Sequence, residues 1–528
     1  MPKLVCMKLT HLSHMNTRSK TSVLVAGLML LGSVSFGQSK DVIDAMMKEE
    51  MQNSQLPKLA HQLLDEVGPR LVASPQMKQA NDWAVDTYKS WGIDAKNEKW
   101  GEWRGWQRGI SHIDMVAPWV RSLQGTQLAW SPGMGNKTTT AEVIILPDLA
   151  DSDAFKAWLP AVKGKFVMIS APPTTGRSDI NLKQFATPTT YAAMTAEATK
   201  MTTDWAARLR KTGTKGKTGL PQALENAGAV GIITNYWSKE FGADKIFDAH
   251  TKTIPTVDIG LEDYGLVYRL VESGSKPKLA IHCESKELGM MPTYNTIGTI
   301  KGGEKANEYV MLSAHFDSWD GGTGATDNGT GTLTMLEAMR LLQKFYPHPK
   351  RTIIVGHWSS EEEGLNGSHA YVEDHPEVTK NLQALFNQDN GTGRVINLSG
   401  SGFKDSKDFF DRWLAMVPDT LKNRIRSNFP GRPSGGGSDN ASFDMVGAPG
   451  FSLGALNWGY GTITWHTNLD TYDKIIFDDL KNNALLTAIL VYMACEDPQS
   501  LAHTAADGVT WPTQTLSIRN GRPEDVKK

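Results

Sequence analysis

Read by its apolar and polar positions alone, the chain changes period several times. Leu56, Leu59, Leu63 and Leu64, then Trp83, Ala84, Tyr88 and Trp91, fall at helical spacing, and a strand-like stretch follows from Ile110 to Val116. Between about 122 and 287 the apolar runs are short: Glu142–Leu146 and Lys165–Ile169 read as strands, ahead of a helix and a further run, Ala229–Thr234. A polar, Lys/Thr/Gly-rich stretch from Thr174 to Thr218 reads as a loop. From Asn295 strand and helix alternate regularly, with Tyr309–Ala314, then Leu333, Leu336, Met339 and Leu342, then Thr352–Val355. Such alternation predicts an α/β fold with a doubly wound, mainly parallel sheet. The simplest arrangement is one α/β domain in two pieces, 41–121 and 288–500, split by a β-rich insert at 122–287 and followed by a C-terminal tail, 501–528.

The first 37 residues follow a different logic. A basic segment ending at Lys20 leads into the apolar stretch Val23–Leu31, and Ser35-Phe36-Gly37 offers a small-x-small cleavage site. This predicts a signal peptide at 1–37 and an exported protein, periplasmic or extracellular. The apolar core is far shorter than the roughly 20 residues that cross a bilayer, and no later segment is long enough, so no membrane span is expected after processing. The net charge is −2. Lys3, Lys8, Arg18 and Lys20 stand before residue 38 with no acid among them, so a processed chain is more acidic still, and nucleic-acid binding driven by bulk charge is excluded. Three cysteines, Cys6, Cys283 and Cys495, are too few for a disulfide framework or a Cys-rich zinc module.

Candidate chemistry gathers after residue 310. The strand at 309–314 ends in His315-Phe-Asp317, and a glycine-rich loop then carries Asp327. The strand at 352–358 leads to Glu361-Glu362-Glu363-Gly364, the run Ala384–Phe386 leads to Asp389, and a late loop holds His466. Ligands collect at the C-terminal ends of strands in open α/β sheets, so these side chains can share one site. Imidazoles with carboxylates suit zinc, with cobalt or manganese as substitutes. Five ligands serve two ions when one carboxylate is shared, and of the adjacent Glu361 and Glu362 one can bind metal while the other acts as a base on a water that the ions acidify.

Four strings, AHFDSWDGGTGATDNGTG (314–331), SSEEEGLNGSHAYV (359–372), NQDNGTG (387–393) and WHTNLDTYDKI (465–475), resemble metallopeptidase family 28. The group includes bacterial leucyl aminopeptidases, carboxypeptidase Q and glutamate carboxypeptidase. The resemblance covers roughly 55–120 and 290–495, and the insert resembles the protease-associated domain that some members carry there. It implies that His315, Asp327, Glu362, Asp389 and His466 bind two zinc ions per chain, that Asp327 bridges them, that Glu361 is the catalytic base, and that Asp317 fixes the His315 tautomer. It also implies a cis peptide between Asp327 and Asn328. Where several relatives have Tyr before the last His, this chain has Trp465, whose indole only donates, so the donor to a developing oxyanion stays unassigned.

The implied activity is a two-zinc exopeptidase acting on a peptide or dipeptide, with an aminopeptidase preferred and a dipeptidase of the carboxypeptidase Q kind as the alternative. A receptor-like binding protein on the same fold is a further reading, disfavoured because all five ligands are present. Gly450-Phe-Ser452-Leu-Gly454 fits a nucleophile-elbow pattern, yet no helix follows it. Gly216-Lys217-Thr218 lacks the leading glycine of a phosphate loop.

Overall fold

The structure is a computed structural model. It describes residues 39–172, 174–175, 179–236, 241–513 and 515–522, so the expected signal peptide lies outside the described residues.

Three parallel strands form the centre: Lys305–His315 lies between Arg351–Trp358 and Leu382–Asn387. The sheet continues past Leu382–Asn387 to the parallel strand Gly450–Ala455 and the antiparallel Val395–Ser399. On its other side Arg351–Trp358 pairs with the antiparallel strand Lys278–Ile300. Every position of Arg351–Trp358 and of Leu382–Asn387 is buried, the mark of strands covered on both faces. The period of two shows in Lys305–His315. Val310, Leu312 and Ala314 enter one core with Leu333, Leu336 and Leu485, whereas Tyr309 and Met311 face Tyr371, Val372 and Phe443 on the opposite side. Helix Thr330–Phe345 covers the first face together with Phe477–Glu496, which is buried almost all round. The fully buried Arg351 closes the end of that second helix, donating to the carbonyls of Ala494 (3.0 Å), Cys495 (3.1 Å) and Asp497 (2.6 Å). Among the described residues no helix is long and apolar enough to cross a membrane. Cys283 and Cys495 are both free and buried.

The segment 122–287 departs from the β-rich expectation. Its strands Thr139–Ile145, Phe166–Met168, Gly231–Thr234 and Thr256–Ile259 make a parallel sheet edged by the antiparallel Gly125–Gln127. Helices Pro188–Lys211, Gly216–Asn226 and Leu261–Glu272 carry more residues than these strands. Most of the stretch from Thr174 to Thr218, read as a loop, is helix. Thr187 caps its main helix by accepting from the Thr190 N–H at 3.1 Å, and Pro188 occupies the first turn. Further along, Thr195, Thr199, Thr202 and Thr203 return their hydroxyls to carbonyls four residues back. The threonines that made the composition look loop-like are thus satisfied inside a helix.

Nor does a linker mark the expected boundaries at 121/122 and 287/288. Asp94–Ala117 pairs antiparallel with Lys278–Ile300 from Asp94↔Thr299 to Ala117↔Lys278, one ribbon that runs through both regions. In the described part of the segment after 501, Asn520–Gly521 pairs with Glu102 and Trp103.

Candidate metal centre

The parallel strands deliver their side chains to one end of the sheet. His315 ends its strand, Asp389 follows Leu382–Asn387 by two residues, and Glu361 and Glu362 stand just past Arg351–Trp358. Asp327 sits in the tight turn Ala325–Gly329 ahead of helix Thr330–Phe345, and His466 follows the turn Tyr460–Thr464.

The structure brings all six together in two groups. One holds His315, Glu361 and Asp389, the other Asp327, Glu362 and His466, and in each the candidate ligand atoms lie within 4.8 Å of one another. Asp327 joins them: its Oδ1 is 3.3 Å from His315 Nε2 and its Oδ2 is 3.3 Å from His466 Nε2. His315 Nε2 is also 3.1 Å from Asp389 Oδ1, and His466 Nε2 is 3.0 Å from Glu362 Oε2. On its other nitrogen, His315 faces the Asp317 carbonyl at 3.1 Å and the Asp317 carboxylate at 3.5 Å. A proton on Nδ1 leaves the Nε2 lone pair free for the centre. The same Asp317 carboxylate accepts from the backbone N–H groups of Glu361 and Glu362, each at 3.3 Å.

Backbone geometry is specialised here. The Asp327–Asn328 peptide is cis, and Ser360 (φ 60°) and His466 (φ 57°) take the left-handed conformation that non-glycine residues seldom adopt. The glycine-rich loop is only partly explained by unusual dihedrals. Gly324 has φ 58°, but Gly331 is required by space, since a Cβ there would meet Asn328 Oδ1 at 2.3 Å and the Gln388 carbonyl at 2.4 Å. That close approach lets the Asn328 side chain donate to Gln388 O at 2.8 Å, tying the Asp327 turn to the strand end that carries Asp389.

Two residues absent from the sequence reading complete this support. The carboxylate of Asp470 accepts from the N–H groups of Thr326 (2.8 Å) and Asp327 (3.0 Å). Arg70 is fully buried and donates to the carbonyls of Phe316 (2.7 Å), Thr323 (2.8 Å) and Gly324 (2.9 Å), tying the end of the His315 strand to the approach to the Asp327 turn. Asp470 stands four residues past His466 in a quoted string and was within reach of the sequence; nothing local marks Arg70. Apart from that support, Asp439 is also buried beside the centre, its carboxyl pushed up to about 7 by burial. The Tyr460 phenol, raised by burial, lies in the field of Asp327, Asp389 and Glu362.

The donor set fits divalent cations. Burial pushes the carboxyls of Glu361 and Glu362 well up, and neighbouring carboxylates add to the effect in each case. Burial lowers His466 to about 4, so its imidazole is neutral and ready to ligate. Burial also opposes charge on His315, but Asp389 and Glu361 outweigh it and raise that histidine. Asp327 Oδ2, Glu362 Oε1 and His466 Nδ1 are buried without a hydrogen-bond partner. Burying so many unpaired donors is costly unless a cation gathers them.

Known proteins agree with this geometry. An α/β sheet with two acid–imidazole groups at its strand ends is the architecture of a metallopeptidase, and residues 295–491 match the family model described as Peptidase family M28. With the relatives below, that match supports a metallopeptidase of this family, a hydrolase. Carboxypeptidase Q of Bos taurus is 24% identical over 416 residues, 79% of this chain and 80% of the relative. The fold is shared with a peptidase M28 precursor from Shewanella amazonensis SB2B, with a TM-score of 0.66 at 24% identity, covering 88% of this chain and 99% of that one. It is also shared with BSAP, a zinc aminopeptidase from Bacillus subtilis, at a TM-score of 0.54 and 18% identity over 85% of this chain and 97% of that one.

The rival motifs dissolve in the structure. Ser452 lies within the strand Gly450–Ala455 rather than on a turn, and Gly216-Lys217-Thr218 opens an ordinary helix.

Proposed function

We propose that the chain is a zinc-dependent exopeptidase whose centre takes two ions, His315 and Asp389 on one, Glu362 and His466 on the other, with Asp327 shared. The observation that carries this reading is the Asp327 carboxylate, which presents one oxygen to each imidazole at 3.3 Å. Zinc suits imidazole and carboxylate donors, and cobalt or manganese would be substitutes; the likeness to BSAP supports the same choice. Ions held here would supply Lewis acidity, making the attacking water acidic and polarising the scissile carbonyl. Glu361 takes the proton from that water and returns it to the leaving amine. Asp317 keeps His315 in one tautomer and fixes the backbone of the glutamate pair. Phe247, with its ring 5.0 Å from that of His466, and Trp319 at 5.8 Å form an apolar wall that keeps bulk water from the centre.

Aminopeptidase and dipeptidase readings share this chemistry and differ in which chain end must be free. The sequence favours the first; the position of Lys245, argued below, favours a substrate with a free carboxylate. The leader pattern supports export, and segment 122–287 is read as a protease-associated lobe at the rim of the cleft. The test is hydrolysis of free dipeptides, N-blocked peptides and aminoacyl anilides before and after chelation. Activity should vanish with chelator, return with zinc or cobalt, and spare the blocked amines; hydrolysis by metal-free protein would overturn the reading.

A further inference from the structure

Lys245 reaches the centre from the insert. Its residue is only 8% exposed, and its Nζ lies 4.1 Å over the ring of Trp465. The Trp465 ring in turn sits 4.1 Å from the ring of His466. The ammonium is therefore no farther than about 8 Å from the His466 ring centre. Among the described residues that ammonium makes no hydrogen bond and no ion pair. Its backbone is held firmly: Lys245 bridges Thr467, and the next residue, Ile246, donates to the His466 carbonyl at 2.8 Å. Burial lowers the ammonium to about 8, and the Asp258 and Asp327 carboxylates oppose that shift.

The Lys245 stem is buried while its ammonium still meets solvent, so the charge rests on water and on the Trp465 face, worth about 0.5–2 kcal/mol, and stays open to an anionic ligand. A cation beside the His466 turn is what a substrate chain end would need. In a substrate cut one residue from its C-terminus, the carboxylate carbon lies roughly 3–4 Å past the scissile carbonyl carbon. A charge-assisted hydrogen bond adds about 2.8 Å. An ammonium within about 7 Å of the reacting carbon is thus in range.

We propose that Lys245 binds the free C-terminal carboxylate of the substrate, so that the favoured substrates are dipeptides and the leaving group is a free amino acid. This rests on the two-ion exopeptidase reading and gives the insert a binding role at the cleft. Phe247 and Trp319 line the same space with apolar rings, which strengthens a charge pair formed there.

The test compares a panel of free dipeptides with their C-terminal amides on zinc-loaded wild type, Lys245→Met and Lys245→Arg. Lys245→Met keeps an unbranched apolar stem on Trp465, and Lys245→Arg keeps the charge. The wild type should prefer the free acids by at least about tenfold in kcat/KM, as one charged hydrogen bond would give. Lys245→Met should raise KM for the acids by at least about tenfold, leave their kcat nearly unchanged and leave the amides unaffected, while Lys245→Arg should restore most of the preference. Calorimetric binding of free leucine against leucinamide gives a readout that needs no turnover, and the acid's advantage should disappear in Lys245→Met. Equal handling of acids and amides by the wild type, or equal KM changes for both in Lys245→Met, would overturn the carboxylate role and leave the peptidase intact. If no peptide is hydrolysed, the exopeptidase reading falls, and unchanged leucine binding in Lys245→Met would overturn this proposal as well.

Discussion

Asn468 locks the insert onto the turn that carries His466: its side-chain oxygen accepts the Asp244 N–H at 2.8 Å, while its own N–H donates to the Asp244 carbonyl at 3.1 Å. The His466 turn is thus braced by the insert as well as by its own chain neighbours. Asn468→Ala should cost about 1 kcal/mol of stability and weaken the hold on the ion nearest His466 before the other. Thermal melting with and without zinc, together with a chelator titration, checks this; simultaneous loss of both ions would contradict it.

Glu361 and Glu362 are neighbours with different assigned duties. Glu361→Gln should leave zinc content near that of the wild type while lowering turnover at least about a hundredfold, and Glu362→Gln should lower zinc content itself. Elemental analysis of both variants beside their kinetics separates the roles, and equal metal loss in the two would reverse the assignment.

Asp317 touches no candidate ion yet accepts from both glutamate N–H groups and faces His315. Asp317→Asn should lower zinc affinity by about 10–100-fold, read from competition with a chromogenic chelator. Unchanged affinity would remove Asp317 from the account.

Away from the centre, Glu98 and His375 pair across the fold. The hydrogen bond to His375 lowers Glu98 from 4.5 to about 2, and the same contact raises His375 above its ordinary 6.5. The depressed acid contributes stability above pH 4.5 and loses it as pH falls toward 2; the raised histidine contributes below 6.5 and loses it as pH rises through its folded value. The pair therefore stabilises most between about pH 4.5 and 6.5. Glu98→Gln should cost about 1 kcal/mol near pH 5.5 and less at pH 8.5, measured by denaturant unfolding at both pH values.

The gathering of these side chains was legible because they follow strand ends, where a short string couples an apolar run to a candidate ligand; His315, Glu362 and Asp389 are of this kind. The parallel sheet was legible for the same reason, since Thr352–Val355 and Ala384–Phe386 are continuous apolar runs. Pro188–Lys211 was misread because only Trp205 of its residues is buried, leaving no apolar stripe, and because its threonines satisfy themselves within the helix. Arg70 and Lys245 were invisible for another reason. They act across more than 200 residues of sequence, on Gly324 and Trp465 respectively, and no local pattern records a partner so far away.

The central claim is that one carboxylate, Asp327, serves two ions. The most direct measurement is activity as metal-free protein is titrated with zinc, with bound metal counted by elemental analysis. The account predicts that the chain takes up two zinc ions and reaches full activity only with both, and that Asp327→Asn loses both together. Full activity at one ion per chain, or an Asp327→Asn variant that keeps one ion tightly, would contradict it.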